Sequence, residues 1–459
     1  MKSSHSLSAT LMIGLSAFAM SANAEQMPAA PVTATPQAKA LGADAFVTSG
    51  RIRALPAVNL GLPASASVLA LDGQREQQAR QGTPMQIGMT RDVQRSRIEL
   101  SSLKWETLAG GSRGARVSLK SADALALRAN LRLRAVARSG ADPSKTTLRF
   151  AGNDGRVFAQ SGADFAKATP AWSPVVGGDT MTVEIVLAPG QRAADLTLDV
   201  PQLSHLDVDP AEPKAVTKAS VGASGSCERD IVCRVNPTPG FLAASKSVAH
   251  MIFTNSEGSF ICTGTLLNNN NSPKRPLFWS AAHCIDSQQT ADTLQTYWFF
   301  DATGCGNRKT DPRMVTLSGG AYLRHADTRR DTLLLELKQA PPAGAYYAAW
   351  NSAALTSTGI AIEGIHHPEG DLKKYSLGSV TRLSTSALGS SPLTEVKWTT
   401  GVTEGGSSGS ALFTVAGNGD YQLRGGLLGG SSYCSNPKAP DVYSQLSGVW
   451  SKISSYFSP

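Results

Sequence analysis

None of the six cysteines of this 459-residue chain occurs before residue 227. They are Cys227, Cys233, Cys262, Cys284, Cys305 and Cys434. In an oxidising compartment an even number of cysteines is typical of disulfides, although six cysteines alone allow many pairings. Zinc binding is the alternative, but the spacings contain no Cys-x-x-Cys pair, so we expect no metal site. The distribution therefore predicts a cross-linked C-terminal half that follows an N-terminal half without disulfides.

The N-terminus has the pattern of a secretory signal peptide. Lys2 supplies the positive charge, residues 11–20 form a short apolar run, and Ala22-Asn23-Ala24 forms a small-residue cleavage site. The apolar run has about ten residues, roughly half of what a membrane anchor needs. We therefore predict cleavage after Ala24, passage through an oxidising periplasm and secretion, with no membrane attachment.

Composition favours turn-rich β structure, because the chain contains 43 glycines and 25 prolines and is 41% hydrophobic. The net charge of +8 could indicate a polyanionic partner. Most of the excess charge lies in the N-terminal half, however, and no dense basic run is interleaved with aromatic residues. We therefore expect no nucleic-acid partner.

The pattern along the chain divides it into segments. Residues 25–90 are rich in Ala, Pro, Gln and Ser and predict an extended lead-in with short elements. Residues 95–206 alternate as strands do and predict an antiparallel β-sandwich. The polar residues 207–218, which include two prolines, predict a linker. In 219–459 short strands are separated by turns, and only about 446–456 has helical spacing.

Three short strings in the second half carry a possible chemistry. They are 279–284 (WSAAHC), 331–337 (DTLLLEL) and 405–410 (GGSSGS). Acyl transfer from a peptide needs a nucleophile, a base that takes its proton, and a group that orients the base. Ser408, His283 and Asp331 are the residues of these types. The sequence therefore predicts a catalytic triad in the chain order His, Asp, Ser.

The glycines around Ser408 are suited to a sharp turn that exposes the hydroxyl. Gly406 and Gly409 flank the serine, and the backbone N–H groups of Gly406 and Ser408 are candidates for an oxyanion hole. Each such donor contributes about 3 kcal/mol to the transition state. A Gly-Ser-rich string alone could equally be a flexible loop, so the prediction depends on the rarer Ala-Ala-His-Cys string as well.

These strings resemble those of the bacterial lysyl endopeptidases, which are trypsin-like serine proteases specific for lysine. Further similar strings are 222–227 (GASGSC), 262–269 (CTGTLLNN), 365–368 (IHHP), 403–410 (TEGGSSGS) and, in the N-terminal half, 170–176 (PAWSPVV). The resemblance implies an all-β catalytic domain of two antiparallel, chymotrypsin-like barrels with the active site between them. It also implies the disulfides Cys227–Cys434, Cys233–Cys305 and Cys262–Cys284.

Substrate preference depends on an acid at the base of the specificity pocket. In common digestive trypsins this acid lies six residues before the nucleophile, but here that position is Val402. The resemblance instead implies Asp441, which follows Cys434 at a spacing two residues shorter than the family pattern. Glu404 either adds negative charge near the pocket or is solvated at its rim. Because a compact ammonium suits a narrow acidic pocket, we expect cleavage after lysine, with arginine as the alternative.

Activation cannot use the ion pair found in trypsin-like zymogens, because residue 407 is Ser and not Asp. We therefore expect activation by removal of residues 25–218, a propeptide that acts as an intramolecular inhibitor or folding aid. Lys218 precedes Ala219 at the predicted junction, so a lysine-specific enzyme could cut there itself. Lys214 is the alternative processing site.

The remaining expectations concern ligands and partners. We expect no cofactor, a monomer, and protein or peptide substrates. His366 and His367 are adjacent and cannot easily bind one ion, which favours a structural or cleft-lining role. Trp398 and Tyr433 line the cleft or belong to the core. The alternative functions are an arginine-specific or broader protease, a non-catalytic binding protein on the same fold, and an adhesion module built on the sandwich.

Overall fold

The computed structural model describes residues 24–33, 44–81, 83–211 and 223–459. Most of the predicted signal peptide, as well as Lys214 and Lys218, lies outside these residues, whereas Ala24 is described and exposed. Among the helices in the described part of the chain, none is both long and apolar enough to cross a membrane.

The N-terminal half is built mainly from strands. Its elements are β1 (Gln26–Met27), β2 (Ala30–Pro31), β3 (Leu55–Leu60), α1 (Ser65–Gln81), β4 (Met85–Asp92), β5 (Arg97–Glu99), β6 (Glu106–Thr107), β7 (Arg113–Ser121), β8 (Ala126–Ala135), β9 (Thr147–Ala151), β10 (Val157–Ser161), α2 (Gly162–Phe165), β11 (Ala171–Trp172), β12 (Val176–Gly177), β13 (Thr180–Leu187) and β14 (Leu196–Leu206).

Two sheets of this half pack face to face as a sandwich. One has the order β10-β9-β13-β7-β3, with β6 beside β7, and the other has the order β8-β14-β4, with β11 and β12 on β8 and β5 on β14. Alternate side chains of β7, such as Ala115, Val117 and Leu119, are fully buried in a shared apolar core. The period-2 alternation of the sequence therefore produces the sandwich-like, β-rich N-terminal domain.

The C-terminal half continues the all-β pattern. Its elements are β15 (Arg229–Asp230), α3 (Pro239–Ser245), β16 (Val248–Thr254), β17 (Gly258–Leu267), β18 (Leu277–Ser280), α4 (Gln288–Ala291), β19 (Gln295–Trp298), β20 (Val315–Leu317), β21 (Ala321–Asp327), β22 (Thr332–Leu337), β23 (Tyr346–Tyr347), β24 (Ala349–Asn351), β25 (Ala361–His366), β26 (Lys374–Ala387), β27 (Ser390–Thr400), β28 (Ala411–Val415), β29 (Tyr421–Gly430), β30 (Asp441–Tyr443) and α5 (Trp450–Ile453).

These strands form two antiparallel barrels. The first is a curled sheet in the order β20-β19-β16-β17-β18-β22-β21. The second is a closed ring, β25-β26-β27-β30-β29-β28, in which β28 returns to β25. The two-barrel chymotrypsin-like architecture expected from the sequence is therefore present, and its two cores meet at the β17–β18 side of the first barrel.

Three disulfides cross-link this half. They join Cys227 to Cys434, Cys233 to Cys305 and Cys262 to Cys284, which are the pairs that the family resemblance implies. All six cysteines are used, so none offers a thiolate to a metal ion.

The two halves share hydrogen-bonded strands. β4 of the sandwich pairs antiparallel with the first half of β17, with Met85 opposite Ile261. On the far side of the barrels, β1 and β2 pair with β24 and β23. A buried arginine of β8, Arg128, also donates to Thr254 Oγ1 (2.9 Å) and to the carbonyl of Thr293 (2.6 Å).

Two local expectations need correction. Residues 25–90 were expected to be extended with short elements, but they contain the 17-residue helix α1. Its sequence is rich in Ala, Gln, Arg and Leu, which favour helix, although it lacks a continuous apolar stripe. The expected helix at 446–456 is broken into 3-10 turns at Leu446–Gly448 and Ser454–Tyr456, with only Trp450–Ile453 as α-helix.

Candidate active site

Strand pairing brings His283 and Asp331 together. β18 ends three residues before His283, Asp331 directly precedes β22, and these two strands pair with Ser280 opposite Leu333. Asp331 Oδ1 accepts a hydrogen bond from the backbone N–H of His283 (2.9 Å), and Oδ2 lies 2.9 Å from His283 Nδ1. A carboxylate on Nδ1 favours the tautomer with its proton there, which leaves Nε2 free to act as a base.

Asp331 is held in an uncommon conformation. Its side chain is almost fully buried, and its φ of +51° lies in the left-handed region. Aspartate tolerates this region better than most residues. The conformation lets the chain turn into β22 while the carboxylate points back at the histidine, and the burial shields this contact from water.

The turn at Ser408 packs directly against the chain that precedes His283. Gly409 has a φ of +80°, and a Cβ on it would lie 2.1 Å from Ser280 Oγ. The backbone N–H of Thr263 donates to the carbonyl of Ser408 (2.8 Å). Thr263 follows Cys262, which is bonded to the cysteine after His283. These contacts place the Ser408 turn beside the histidine turn.

The Ser408 turn carries the backbone groups that the sequence predicts for oxyanion binding. Gly406 has a φ of +86°, which only glycine adopts readily. For the N–H groups of Gly406 and Ser408, no partner is found among the residues that the structure describes. His283 Nε2 is buried and likewise has no hydrogen-bond partner in the described ranges. The Ser408–His283 hydrogen bond of an active triad is therefore not formed.

A narrow pocket opens beside Ser408. It has a volume of about 20 Å³, the space of about one water molecule. Its walls come from the loop before the serine, from the end of β29 and from the loop that follows; they include Thr403, Glu404, Gly430, Ser432 and Tyr433. Thr83 of the N-terminal half also borders it.

Asp441 lies directly behind this pocket. Its Oδ2 accepts hydrogen bonds from Trp398 Nε1 (2.6 Å), Thr403 Oγ1 (2.7 Å) and Ser432 Oγ (2.5 Å). Burial raises its pKa to about 6, against the lowering effect of these hydrogen bonds. Among the residues that the structure describes, no cation pairs with this carboxyl, so an ammonium group entering the pocket would supply a counter-charge.

The other predicted pocket residues have distinct surroundings. Glu404 borders the pocket, but its Oε2 accepts a hydrogen bond from the backbone N–H of Gly225 (2.8 Å), and burial raises its pKa. Val402 is fully buried. Trp398 belongs to the core as well as binding Asp441, whereas Tyr433 lines the pocket.

One residue near the site has a contact that sequence reasoning missed. His366 Nδ1 lies 2.8 Å from Ser407 Oγ, and its Nε2 lies 3.0 Å from Ser376 Oγ. Burial lowers the pKa of His366 to about 3, so the ring is neutral. A neutral histidine thus supports residue 407, the position where trypsin-like zymogens have an aspartate. The only sequence signal was the His366-His367 pair itself, since the contact spans 41 residues.

A hydrolase that cuts peptide bonds with a serine nucleophile, a serine endopeptidase, is the class that this fold and this site define. Models of the lysyl endopeptidase N-terminal and C-terminal domains match residues 59–207 and 221–444. A lysyl endopeptidase from Pseudomonas aeruginosa is 48% identical over 385 residues, which cover 82% of each chain. The chain therefore belongs to the lysyl endopeptidase family.

Two solved proteases are more distantly similar. The Rv3671c protease from M. tuberculosis, in its active form, is 15% identical with a TM-score of 0.32 and covers 48% of this chain and 87% of its own. The thermostable serine protease AL20 from an extremophilic microorganism is 16% identical with a TM-score of 0.34, covering 46% and 95%.

Proposed function

We propose that this chain is a secreted serine endopeptidase that cleaves after lysine and is made as a precursor with residues 25–218 as its propeptide. The observation that carries the proposal is the His283–Asp331 pair beside the Ser408 turn, with the buried carboxyl of Asp441 behind the adjoining pocket. The extracellular destination is supported by the signal-like N-terminus and by the three disulfides.

The mechanism follows from these positions. His283 Nε2 removes the proton of Ser408 as its oxygen attacks the substrate carbonyl, and Asp331 stabilises the imidazolium that forms. The N–H groups of Gly406 and Ser408 stabilise the oxyanion. His283 then protonates the leaving amine, and a water molecule repeats the sequence to hydrolyse the acyl-enzyme. In the mature enzyme, His283 and Ser408 have to approach to hydrogen-bond distance.

Lysine specificity is assigned to Asp441. The substrate ammonium would approach through the pocket and exchange hydrogen bonds with Thr403 and Ser432, whose hydroxyl groups already contact the carboxyl. The compact ammonium of lysine fits a small polar space better than the planar guanidinium of arginine does. The pocket has to widen from its present size when Thr83 leaves its edge.

The propeptide acts as an intramolecular inhibitor in this proposal. β4 adds to the free half of β17, and α1 contacts β29, whose end forms the pocket wall. Edge-strand addition of this kind supplies affinity through main-chain hydrogen bonds. The enzyme removes the propeptide by self-cleavage after Lys218, or after Lys214.

Cleavage-site mapping tests the proposed specificity. The purified enzyme is incubated with a peptide library, and the products are sequenced; we expect cuts after lysine alone. Asp441→Asn should lose this preference, while Thr399→Ala, an exposed residue on the neighbouring strand, should retain it. A fluorophosphonate probe should label Ser408 in both variants. Cuts after apolar residues by the wild type would contradict the assignment of Asp441.

A further inference from the structure

Thr83 and Pro84, which directly precede β4, lie beside Ser408 and His283. Thr83 borders the pocket that contains Ser408. Together with Pro84 it also borders a second, open cavity whose lining includes His283. The peptide bond between Thr83 and Pro84 therefore lies where the two halves of the catalytic machinery face each other.

The next residue fixes the direction of this segment. Met85 begins β4 opposite Ile261 in an antiparallel pairing, and it is buried. Its Sδ lies 3.0 Å from the point that a Cβ on Gly405 would occupy, next to Gly406. The chain thus enters beside the specificity pocket and leaves along β17 as an added strand.

This direction is the one that a substrate needs. In acyl transfer, serine attacks the carbonyl of the residue at the specificity pocket, and histidine delivers a proton to the nitrogen of the next residue. Here Thr83 borders both the pocket of Ser408 and the cavity of His283, whereas Pro84 borders the cavity of His283. We propose that the Thr83–Pro84 bond occupies the position of a scissile bond, and that residues 83–92 inhibit the precursor as a substrate-like segment that it cannot cleave. This inference rests on the proposed function.

The side chains of Thr83 and Pro84 explain why the bond between them resists hydrolysis. Thr83 has a short, neutral side chain that cannot reach Asp441 through the narrow pocket with a positive charge. Pro84 has no N–H, and its ring places carbon on the nitrogen that His283 has to protonate. In addition, His283 Nε2 is buried without a hydrogen-bond partner in the described part of the chain. The propeptide thus occupies the cleft and lacks the features that hydrolysis requires.

The test converts this segment into a substrate. In the full-length chain, Lys214→Gln and Lys218→Gln first block the two predicted processing sites. Adding Thr83→Lys and Pro84→Ala together should produce a chain break between residues 83 and 84, measured by intact mass and N-terminal sequencing. Pro84→Ala alone should give no break, and Thr83→Lys alone a much slower one. The matched control is Thr90→Lys, which places a lysine on β4 away from Ser408.

Two further measurements make the outcome decisive. Adding Ser408→Ala to the chain that carries both Thr83→Lys and Pro84→Ala should abolish the break. Its melting temperature should stay unchanged, which shows that this chain folds. Independently of lysine specificity, a fluorophosphonate should label the unprocessed precursor about 100-fold more slowly than the mature enzyme, as expected if the cleft is open about 1% of the time. Equal labelling rates for the precursor and the mature enzyme would overturn the inference. So would a folded chain with Thr83→Lys and Pro84→Ala that cuts lysine peptides but is not cleaved after residue 83. Failure of the mature enzyme to cut after lysine would instead overturn the proposed function.

Discussion

The sandwich and the barrels are both antiparallel β structures, but they are stabilised differently. The sandwich has no cysteine, and its core is a continuous set of buried aliphatic and phenylalanine side chains. One of its buried carboxylates, Glu184, accepts hydrogen bonds from the N–H and hydroxyl of Thr48 (2.9 and 2.6 Å) and lies 3.4 Å from Arg116. The barrels, in contrast, are cross-linked over sequence separations of 207, 72 and 22 residues.

The positions of the cross-links explain this difference. Cys262–Cys284 holds the turn of His283, and Cys227–Cys434 connects the start of the catalytic domain to the loop beside the specificity pocket. This half also contains Asp441, a buried carboxyl that pairs with no cation in the described part of the chain. Two of the three covalent bonds thus lie beside the candidate active site. The sandwich has no disulfide and is stabilised by its apolar core.

The largest expected effect is on peptide hydrolysis, which the proposed function assigns to the barrels and not to the sandwich. Ser408→Ala should lower peptide hydrolysis by about 10⁴- to 10⁶-fold, because the nucleophile is removed from a triad that acts as a unit. The variant should accumulate as uncut precursor, measured by intact mass of secreted protein in a host without other proteases. The sandwich should be unaffected.

The neighbouring serine provides the control. Ser407→Ala removes the contact with His366 but keeps the nucleophile, so it should retain measurable hydrolysis and mature slowly. Normal maturation of the Ser408→Ala chain would contradict self-processing.

The second prediction tests the cross-links directly. Replacing Cys262 and Cys284 with serine should lower the free energy of unfolding of the catalytic domain by about 2–4 kcal/mol. The measurement is calorimetry of the Ser408→Ala precursor, with and without a reducing agent. Reduction should lower the transition of the barrels. An equal lowering of a separate sandwich transition would show that the shared β4–β17 pairing, and not the disulfides, sets the stability of both halves.

The sequence predicted the parts of the molecule that are encoded locally. His283, Asp331 and Ser408 were predicted as a triad because each stands in a short string with a chemical reason for its neighbours, and the structure places His283 in contact with Asp331. The sandwich was found because burial on one face enforces a period of two. Asp441 and the cysteine pairs came from the family resemblance, since neither spacing nor composition selects a single partner across up to 207 residues.

Contacts between distant segments were not predictable in this way. β4 has no pattern that indicates addition to β17, because main-chain pairing is nearly independent of side-chain identity. α1 was missed because its contacts with β4 and β29 replace the apolar stripe that marks a free-standing amphipathic helix. The contact between His366 and Ser407 was not predictable from the adjacent histidines, because it depends on how β25 is placed in the second barrel.

The third prediction concerns the protonation of Asp441, the buried carboxyl behind the pocket. Because burial raises the pKa of Asp441 to about 6, this group is charged at pH 7 and mostly neutral at pH 5. Binding of a lysine-like amine needs the charged form, so its affinity should fall as the pH falls through 6. We expect about tenfold weaker competitive inhibition by n-butylamine at pH 5 than at pH 7, since one pH unit below the pKa costs about a factor of ten.

The matching control separates this effect from titration of the catalytic groups. In Asp441→Asn, inhibition by n-butylamine should be weak at both pH values, because the carboxylate that is proposed to bind the amine is absent. A tenfold change that persists in this variant would assign the pH dependence to another group.

The smallest expected effect concerns the N-terminal strands β1 and β2, the part of the proposed propeptide that pairs with strands of the C-terminal half. Glu25 follows the predicted signal cleavage site, and its backbone N–H donates to Ser352 Oγ (2.8 Å), while its carbonyl accepts from the N–H of Ser352 (2.9 Å). Ser352→Ala removes the side-chain contact and should lower the stability of this attachment by about 1 kcal/mol. Because the attachment and the cleft segment belong to one polypeptide, each raises the effective concentration of the other.

We therefore expect the cleaved propeptide to dissociate from Ser352→Ala about fivefold faster, measured as the recovery of lysyl-peptide hydrolysis after processing. Ser357→Ala, on an exposed part of the same loop, is the matched control and should leave the recovery unchanged. An unchanged rate for Ser352→Ala would mean that the cleft segment and the sandwich alone hold the propeptide. The N-terminal strands would then pair with the barrels without slowing the dissociation of the proposed propeptide.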